Sequence, residues 1–148
     1  MATLSKSIEI QSSAENVFDY LNEPTNLLEF WPSMVDVQDI VTLPNGGKKF
    51  KWFYKMAGMR LEGYSEDIEV IPNRKSVSET TGAINGKQTW SFEPVNGGTR
   101  VNIQIEYSIP LPVIGRLAES VVVKLNEHEA EMLLANLKTR MEGVAYHA

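Results

Sequence analysis

The stretch PVIGRLAESVVVKLNEHEAEMLLANLKTRMEG, Pro112 to Gly143, decides the fold. Pro112 suits the first turn of a helix, and no other proline follows it, with Gly115 the one early weak point. Ile114, Leu117, Val121, Leu125, His128, Met132 and Ala135 recur at steps of three and four, which predicts one apolar face. Glu119, Lys124, Glu127, Glu131 and Lys138 fall largely on the other side. At 1.5 Å per residue such a helix is on the order of 45 Å long, enough to cross a small domain. It needs an apolar surface to lie on, and the body of the chain before it offers only strands.

Leu4 to Ile10 alternate well enough to predict a first strand. Ser12 and Glu15 have the spacing of a capping box, opening a short helix through Val17, Phe18 and Leu21 that Pro24 ends. A second short helix, Thr25 to Phe30, stops at Trp31 and Pro32. Six strands follow, Val35 to Thr42, Lys48 to Met56, Met59 to Ile71, Lys75 to Thr81, Lys87 to Glu93 and Thr99 to Ile109. The turns between them fall at Pro44 to Gly47, Pro72 to Arg74, Asn85 to Gly86 and Asn96 to Gly98. Connections this short leave no room for crossover helices, so the strands pair antiparallel in a meander. The predicted fold is α+β, with about seven strands in the order β-α-α-β6-α, and residues 1–148 form a single domain by the usual size prior.

The formal charge of −5 argues against a nucleic-acid partner, because such proteins neutralise phosphates with a basic stripe. Lys48, Lys49, Lys51 and Lys55 form the one basic cluster, and alternation puts Lys49, Lys51 and Lys55 on the solvent side of their strand beside Phe53. The chain has no cysteine, which removes disulfides, thiolate nucleophiles and cysteine metal ligands. His128 and His147 have no partner at a ligand spacing, and His128 reads as a hydrogen-bonded residue of the helix's apolar face. Gly46-Gly47 and Gly97-Gly98 close hairpins instead of opening helices, so no phosphate loop is present. The expectation is a protein without metal or nucleotide cofactor. No apolar run reaches the length of a membrane span, which together with the absence of a leader pattern predicts a cytoplasmic protein.

Five segments taken in order carry a resemblance: Ser13-Ala14-Glu15-Asn16-Val17-Phe18-Asp19-Tyr20-Leu21, Trp31-Pro32, Phe92-Glu93-Pro94, Gly97-Gly98-Thr99-Arg100-Val101 and Asn136-Leu137-Lys138. The chain resembles the START-like, helix-grip (Bet v 1-like) superfamily, and within it most of all the polyketide cyclase/dehydrase and coenzyme Q-binding branch. The resemblance implies a curved antiparallel sheet wrapped around the long C-terminal helix, with a hydrophobic cavity between them. It leaves function open among carriers, sensors and cyclases, because function resides in the site and not in the fold.

Alternation supplies candidate cavity groups. Phe50, Trp52, Tyr54 and Met56 share one face of their strand, Trp90 and Phe92 one face of theirs, and Val101, Ile103, Ile105, Tyr107 and Ile109 one face of the last. With Phe30, Met59 and Leu61, and with Ile114, Leu117 and Val121 from the helix, these give the ligand-binding set: Phe30, Trp52, Tyr54, Met56, Met59, Leu61, Trp90, Phe92, Ile105, Tyr107, Ile109 and those three helix residues. The Met59 to Ile71 strand breaks parity, and a bulge near Gly63 would reconcile its halves. Without it, Arg60 and Glu62 would point inward.

Successive turns of a meander lie at alternate ends, so Met56 to Met59, Gly82 to Gly86 and Ser108 to Val113 share an end loaded with apolar groups. Such a patch marks a ligand entrance, or a peripheral membrane or protein contact through Met56–Met59 and Leu111–Ile114. The functional expectation is a binder of a small hydrophobic ligand, namely an isoprenoid quinone, a lipid or a polyketide-like molecule, acting as carrier or sensor and as monomer or homodimer. One alternative is an aromatase/cyclase or dehydratase with Arg60 as carbonyl polariser, Glu62 as base, and Tyr54 and Tyr107 as proton donors. The other is a protein-interaction module using the apolar end.

Overall fold

The structure is a computed structural model that describes residues 2–56, 58–108 and 116–147, with backbone alone for residues 2, 56, 116–126 and 144–147. Its elements are β1 (Ala2–Ile10), α1 (Ala14–Leu21), a 3₁₀ turn (Pro24–Asn26), α2 (Leu27–Phe30), β2 (Met34–Thr42), β3 (Lys48–Met56), β4 (Met59–Ile71), β5 (Lys75–Gly82), β6 (Asn85–Val95), β7 (Gly98–Ser108) and α3 (Arg116–His147). The strands form one antiparallel sheet in the order β1-β7-β6-β5-β4-β3-β2. Strands β2 to β7 are the meander that their short turns demand, and β1 closes the sheet against β7 from Ala2↔Tyr107 to Ile10↔Thr99.

Local chemistry explains the punctuation. The N-cap of α1 is Ser13, one residue later than the expected Ser12, and its side chain accepts from the Asn16 N–H at 3.1 Å. Ser12 instead lends its carbonyl to the Thr99 hydroxyl at 2.7 Å, pinning the start of α1 to β7. Asn96 and Gly97 both take positive φ, 29° and 83°, as the tight hairpin between β6 and β7 requires. The β5–β6 turn lies before Asn85 and not at Asn85-Gly86, because the Asn85 side chain exchanges hydrogen bonds with the Gly82 backbone at 3.2 and 3.1 Å and closes the turn there.

The main core lies where α3 crosses the inner face near β1, β7 and β6. Ile10, Val17, Phe30, Val101, Ile103, Leu133, Leu137 and Met141 are almost wholly buried there, with Phe18, Trp90, Phe92 and Leu134 around them. Each such side chain contributes about 1.5–3 kcal/mol by leaving water. Lys138 Nζ donates to the Glu9 carbonyl at 2.8 Å, and the Gln11 N–H donates to Glu142 at 3.1 Å, holding the last turns of α3 to β1.

The helix is the expected one, but its C-terminal half turns a different face inward. Ala130, Leu133, Leu134, Leu137 and Met141 are buried, whereas His128, Met132 and Ala135 are exposed, Met132 at 42%. His128 is therefore not a core residue. Apolar side chains occur nearly all round this helix, and contact with the sheet selects which of them go inside. The bulge in β4 also differs from expectation: pairing with β3 runs unbroken from Lys49↔Glu66 to Met56↔Met59, and the register shift comes at Asp67/Glu69 in the pairing with β5. Among the described residues no helix is long and apolar enough to cross a membrane.

Candidate functional site

Pairing across the sheet converts alternation into rows, because residues directly opposite one another share a face. Leu61 is buried opposite Tyr54, so Leu61, Gly63, Ser65 and Asp67 face inward on β4, and Arg60, Glu62 and Tyr64 face out. The Arg60 guanidinium sits over the outer Phe53 ring at 4.9 Å, and Lys51 lies over the same ring at 5.2 Å. Arg60 and Glu62 are exposed on the outer face, which removes them from the cavity and from the catalytic roles expected of them.

On β5 the inner row is Ser76, Ser78 and Thr80, while the buried Val77 faces the other way. Ser76 pairs with Trp90, Ser78 with Gln88 and Thr80 with Gly86, which fixes those three hydroxyls to the inner side. Strand β5 thus puts a polar row on the inner face, where β3 and β7 put apolar side chains. Inner polar groups cost stability unless they are hydrogen-bonded or meet water or a ligand. Here Ser78 donates to Asp67 Oδ1 at 2.7 Å, the Lys48 N–H donates to Asp67 Oδ2 at 2.8 Å, and the Ser65 and Thr80 hydroxyls lie 3.3 Å apart.

Between this floor and α3 lies a cavity of about 160 Å³, measured as the space open to the centres of water molecules. One water needs about 10–15 Å³ on that measure, so the space would hold on the order of ten. Its apolar wall comes from Phe50, Trp52, Trp90, Phe92, Ile105 and Leu133, and its floor from Ser65, Asp67, Ser76, Ser78, Thr80 and Gln88. Trp31 and Leu27 border it on the side of α2.

At the other end of the cavity wall, Tyr54 and Glu129 meet. The Tyr54 hydroxyl donates to Glu129 Oε2, and the Ser33 backbone N–H donates to Glu129 Oε1 at 2.9 Å. Burial first, and then the adjacent Glu129 charge, raises the Tyr54 phenol well above its ordinary pKa, so it stays protonated. Lys55 N–H in turn donates to the Ser33 carbonyl at 2.8 Å, so α3, the loop after α2 and β3 are joined at this point.

Of the ligand-binding residues expected from sequence, Trp52, Tyr54, Trp90, Phe92, Ile105 and Tyr107 line the cavity. Three others do not. Phe30 is 1% exposed inside the main core, Leu61 is packed with Trp52 and Tyr54, and Met59 is 38% exposed at the start of β4. The side chains of Met56, Leu117 and Val121, and residues Ile109, Leu111 and Ile114, lie outside the described residues. Of the apolar turn expected to form an entrance, Ile84 lines the cavity. The sequence reading missed Glu129 and the hydroxyl floor. Glu129 stands one residue before Ala130 and four before Leu133, a spacing that places it beside the buried face. Among the described residues no group of three or more His, Asp or Glu is arranged to hold a metal ion.

A seven-stranded antiparallel sheet with a long helix across its inner face and a cavity between them is a helix-grip, START-like fold. The chain belongs to the polyketide cyclase/dehydrase and lipid transport family, whose model matches residues 1–142. Solved structures share the fold at low identity. A protein from Thermus thermophilus has 20% identity and a TM-score of 0.84 over 97% of this chain and 99% of that one. A START superfamily protein from Mycobacterium smegmatis has 18% identity and a TM-score of 0.80, covering 96% and 98%. The Zhui aromatase/cyclase from Streptomyces sp. R1128 has 13% identity and a TM-score of 0.79, covering 95% and 93%. Among curated proteins no match to the chain was found.

Proposed function

We propose that the chain binds a small, largely apolar molecule bearing oxygen functions, such as an isoprenoid quinone, a lipid or a polyketide-like ring, and acts as its carrier or sensor. The observation that carries this reading is the two-sided lining of the cavity, aromatic on one wall and hydroxylated on the floor. A purely structural core would bury Val or Ile at positions 76, 78 and 80, where this chain has Ser, Ser and Thr. Burying about 200 Å² of apolar ligand surface would contribute about 5 kcal/mol before ordering costs, enough for useful affinity without covalent chemistry. The family's pairing of cyclases with lipid transport supports the same range of ligands.

A cyclase or dehydratase is the second reading. It is favoured by the buried tyrosine–carboxylate couple on the cavity wall and by the likeness to an aromatase/cyclase. In it Tyr54 would relay a substrate proton to Glu129, in place of the donor role expected from sequence, and Tyr107 would line the same cavity. Native purification followed by mass spectrometry, then titration of short-chain quinones and lipids against Trp52 and Trp90 fluorescence, tests both. A stoichiometric bound molecule and saturable quenching support the carrier. An empty protein without quenching overturns it and leaves the enzyme, to be checked by turnover of a polyketide-type substrate.

A further inference from the structure

The hydrogen bonds around Tyr54 and Glu129 leave little freedom in who donates. Glu129 Oε1 is taken by the Ser33 N–H at 2.9 Å, a donor fixed in the backbone. Glu129 Oε2 accepts the hydrogen bond that the Tyr54 hydroxyl donates. With that proton committed, the phenol oxygen has only lone pairs to offer a ligand. The Trp31 indole N–H and the Ser33 hydroxyl both lie near enough to favour charge on this oxygen, and the indole N–H makes no hydrogen bond to it. No ion pair among the described residues reaches the Glu129 carboxylate. A carbonyl or ether oxygen brought to this wall would meet lone pairs with lone pairs. A ligand carboxylate would meet an uncompensated negative charge. A hydroxyl would find an acceptor.

We propose that the Tyr54–Glu129 couple sets the specificity of the cavity, accepting a hydrogen bond from a phenol, enol or alcohol and turning away carbonyl, ether and carboxylate oxygens. The inference rests on the cavity-binding reading and gives it a chemical direction. The couple is four residues along β3 from Phe50, whose row holds Ser65 and Thr80, so the two polar stations are separated by about 13 Å of strand at about 3.3 Å per residue. The ligand is then a flat apolar body with a hydroxyl directed at the couple and its other oxygens near the floor.

The test is isothermal titration calorimetry of the full chain with 2-naphthol, 2-methoxynaphthalene, 2-naphthoate and 2-acetonaphthone. Wild type should bind 2-naphthol about tenfold more tightly than the ether, the usual worth of one hydrogen bond to a charge-coupled acceptor. Tyr54→Phe removes the lone pairs that face the ether, so the ether should bind more tightly than to wild type, and leaves Glu129 Oε2 as the acceptor for 2-naphthol. Glu129→Gln makes a sharper demand. Its amide oxygen keeps the Ser33 N–H, so its amide nitrogen faces Tyr54 and can only donate. The Tyr54 proton must then turn to the cavity, and the preference should pass from 2-naphthol to 2-acetonaphthone. Equal binding of naphthol and ether by wild type, or an unchanged order in Glu129→Gln, overturns the specificity role while leaving the cavity reading intact. Binding of none of the four, or binding that persists when Leu133→Trp fills the cavity, overturns the cavity reading and this inference with it.

Discussion

Gly63 should not tolerate even a methyl group, and the reason ties stability to the binding wall. A Cβ built on Gly63 would lie 2.3 Å from the Thr81 carbonyl oxygen and 2.3 Å from Cζ2 of Trp52. Non-bonded heavy atoms are comfortable at about 3.5 Å, so each contact is more than about 1 Å too close. Relief from one pushes into the other. If β4 and β5 part, ladder bonds near the Gly63↔Gly82 pair are lost at about 0.5–1.5 kcal/mol each. If Trp52 gives way instead, a side chain only 4% exposed loses its place against Tyr54 and Leu61. Overpacking of this kind costs about 1–3 kcal/mol, and with a backbone atom on one side the upper part of that range, about 2–3 kcal/mol, is expected for Gly63→Ala. Urea unfolding followed by circular dichroism should show the midpoint lowered by about 1 M at an unchanged slope. The tryptophan emission of the folded variant should shift as Trp52 is displaced. A stability within about 0.5 kcal/mol of wild type, with unaltered emission, would refute the placement of the Trp52 ring over Gly63.

Leu137, fully buried between α3 and the β1–β7 end of the sheet, should cost about 2–5 kcal/mol when changed to Ala, read from the same denaturation experiment. Arg60→Ala and Glu62→Gln should leave ligand affinity within about twofold of wild type by calorimetry, since both side chains stand outside the sheet, and a larger change would contradict their placement. Tyr54 has its phenol pKa raised by burial and by Glu129, so above about pH 10 the unfolded chain releases a proton that the folded chain keeps, and stability falls as pH rises. Tyr54→Phe lacks that penalty. Its melting temperature, followed from about pH 8 to 11, should therefore fall less steeply than that of wild type.

The strands, their order and the long helix were legible because hairpin turns are written in Asn, Gly and Pro and because β3, β6 and β7 alternate large apolar residues with polar ones. The same alternation placed Trp52, Tyr54, Trp90 and Tyr107 on the inner face. It failed on β5, where Lys75, Val77 and Glu79 compete with Ser76, Ser78 and Thr80 and neither set looks like a core. Only the pairing of Ser76 with Trp90 decides which goes inside. It failed again at Glu129, which among Glu127, His128 and Glu131 reads as one more solvated charge. Arg60 and Glu62 were expected inside if β4 had no bulge near Gly63; the bulge is absent there, yet Leu61 and Gly63 hold the inner register and the two charges face out. The chain keeps a glycine there because the Trp52 ring needs the room, and the strand changes register further on, at Asp67/Glu69.

The main core and the smaller cluster of Val37, Phe50, Trp52, Tyr54 and Leu61 both have Leu27 and Trp31 packed against them. Leu27 opens and Trp31 follows a four-residue helix whose last carbonyl, on Phe30, accepts from Asn136 Nδ2 at 3.1 Å. The short α2 segment thus bridges two clusters of one continuous sheet, like a hasp. Unlatching Leu27 and Trp31, together with the Tyr54 and Ser33 hydrogen bonds to Glu129, would free the β2–β3 edge from α3 with the principal core still whole. Traffic into the cavity can then proceed by a sub-global opening far cheaper than unfolding, with backbone amides of β2 exchanging well ahead of those in β7.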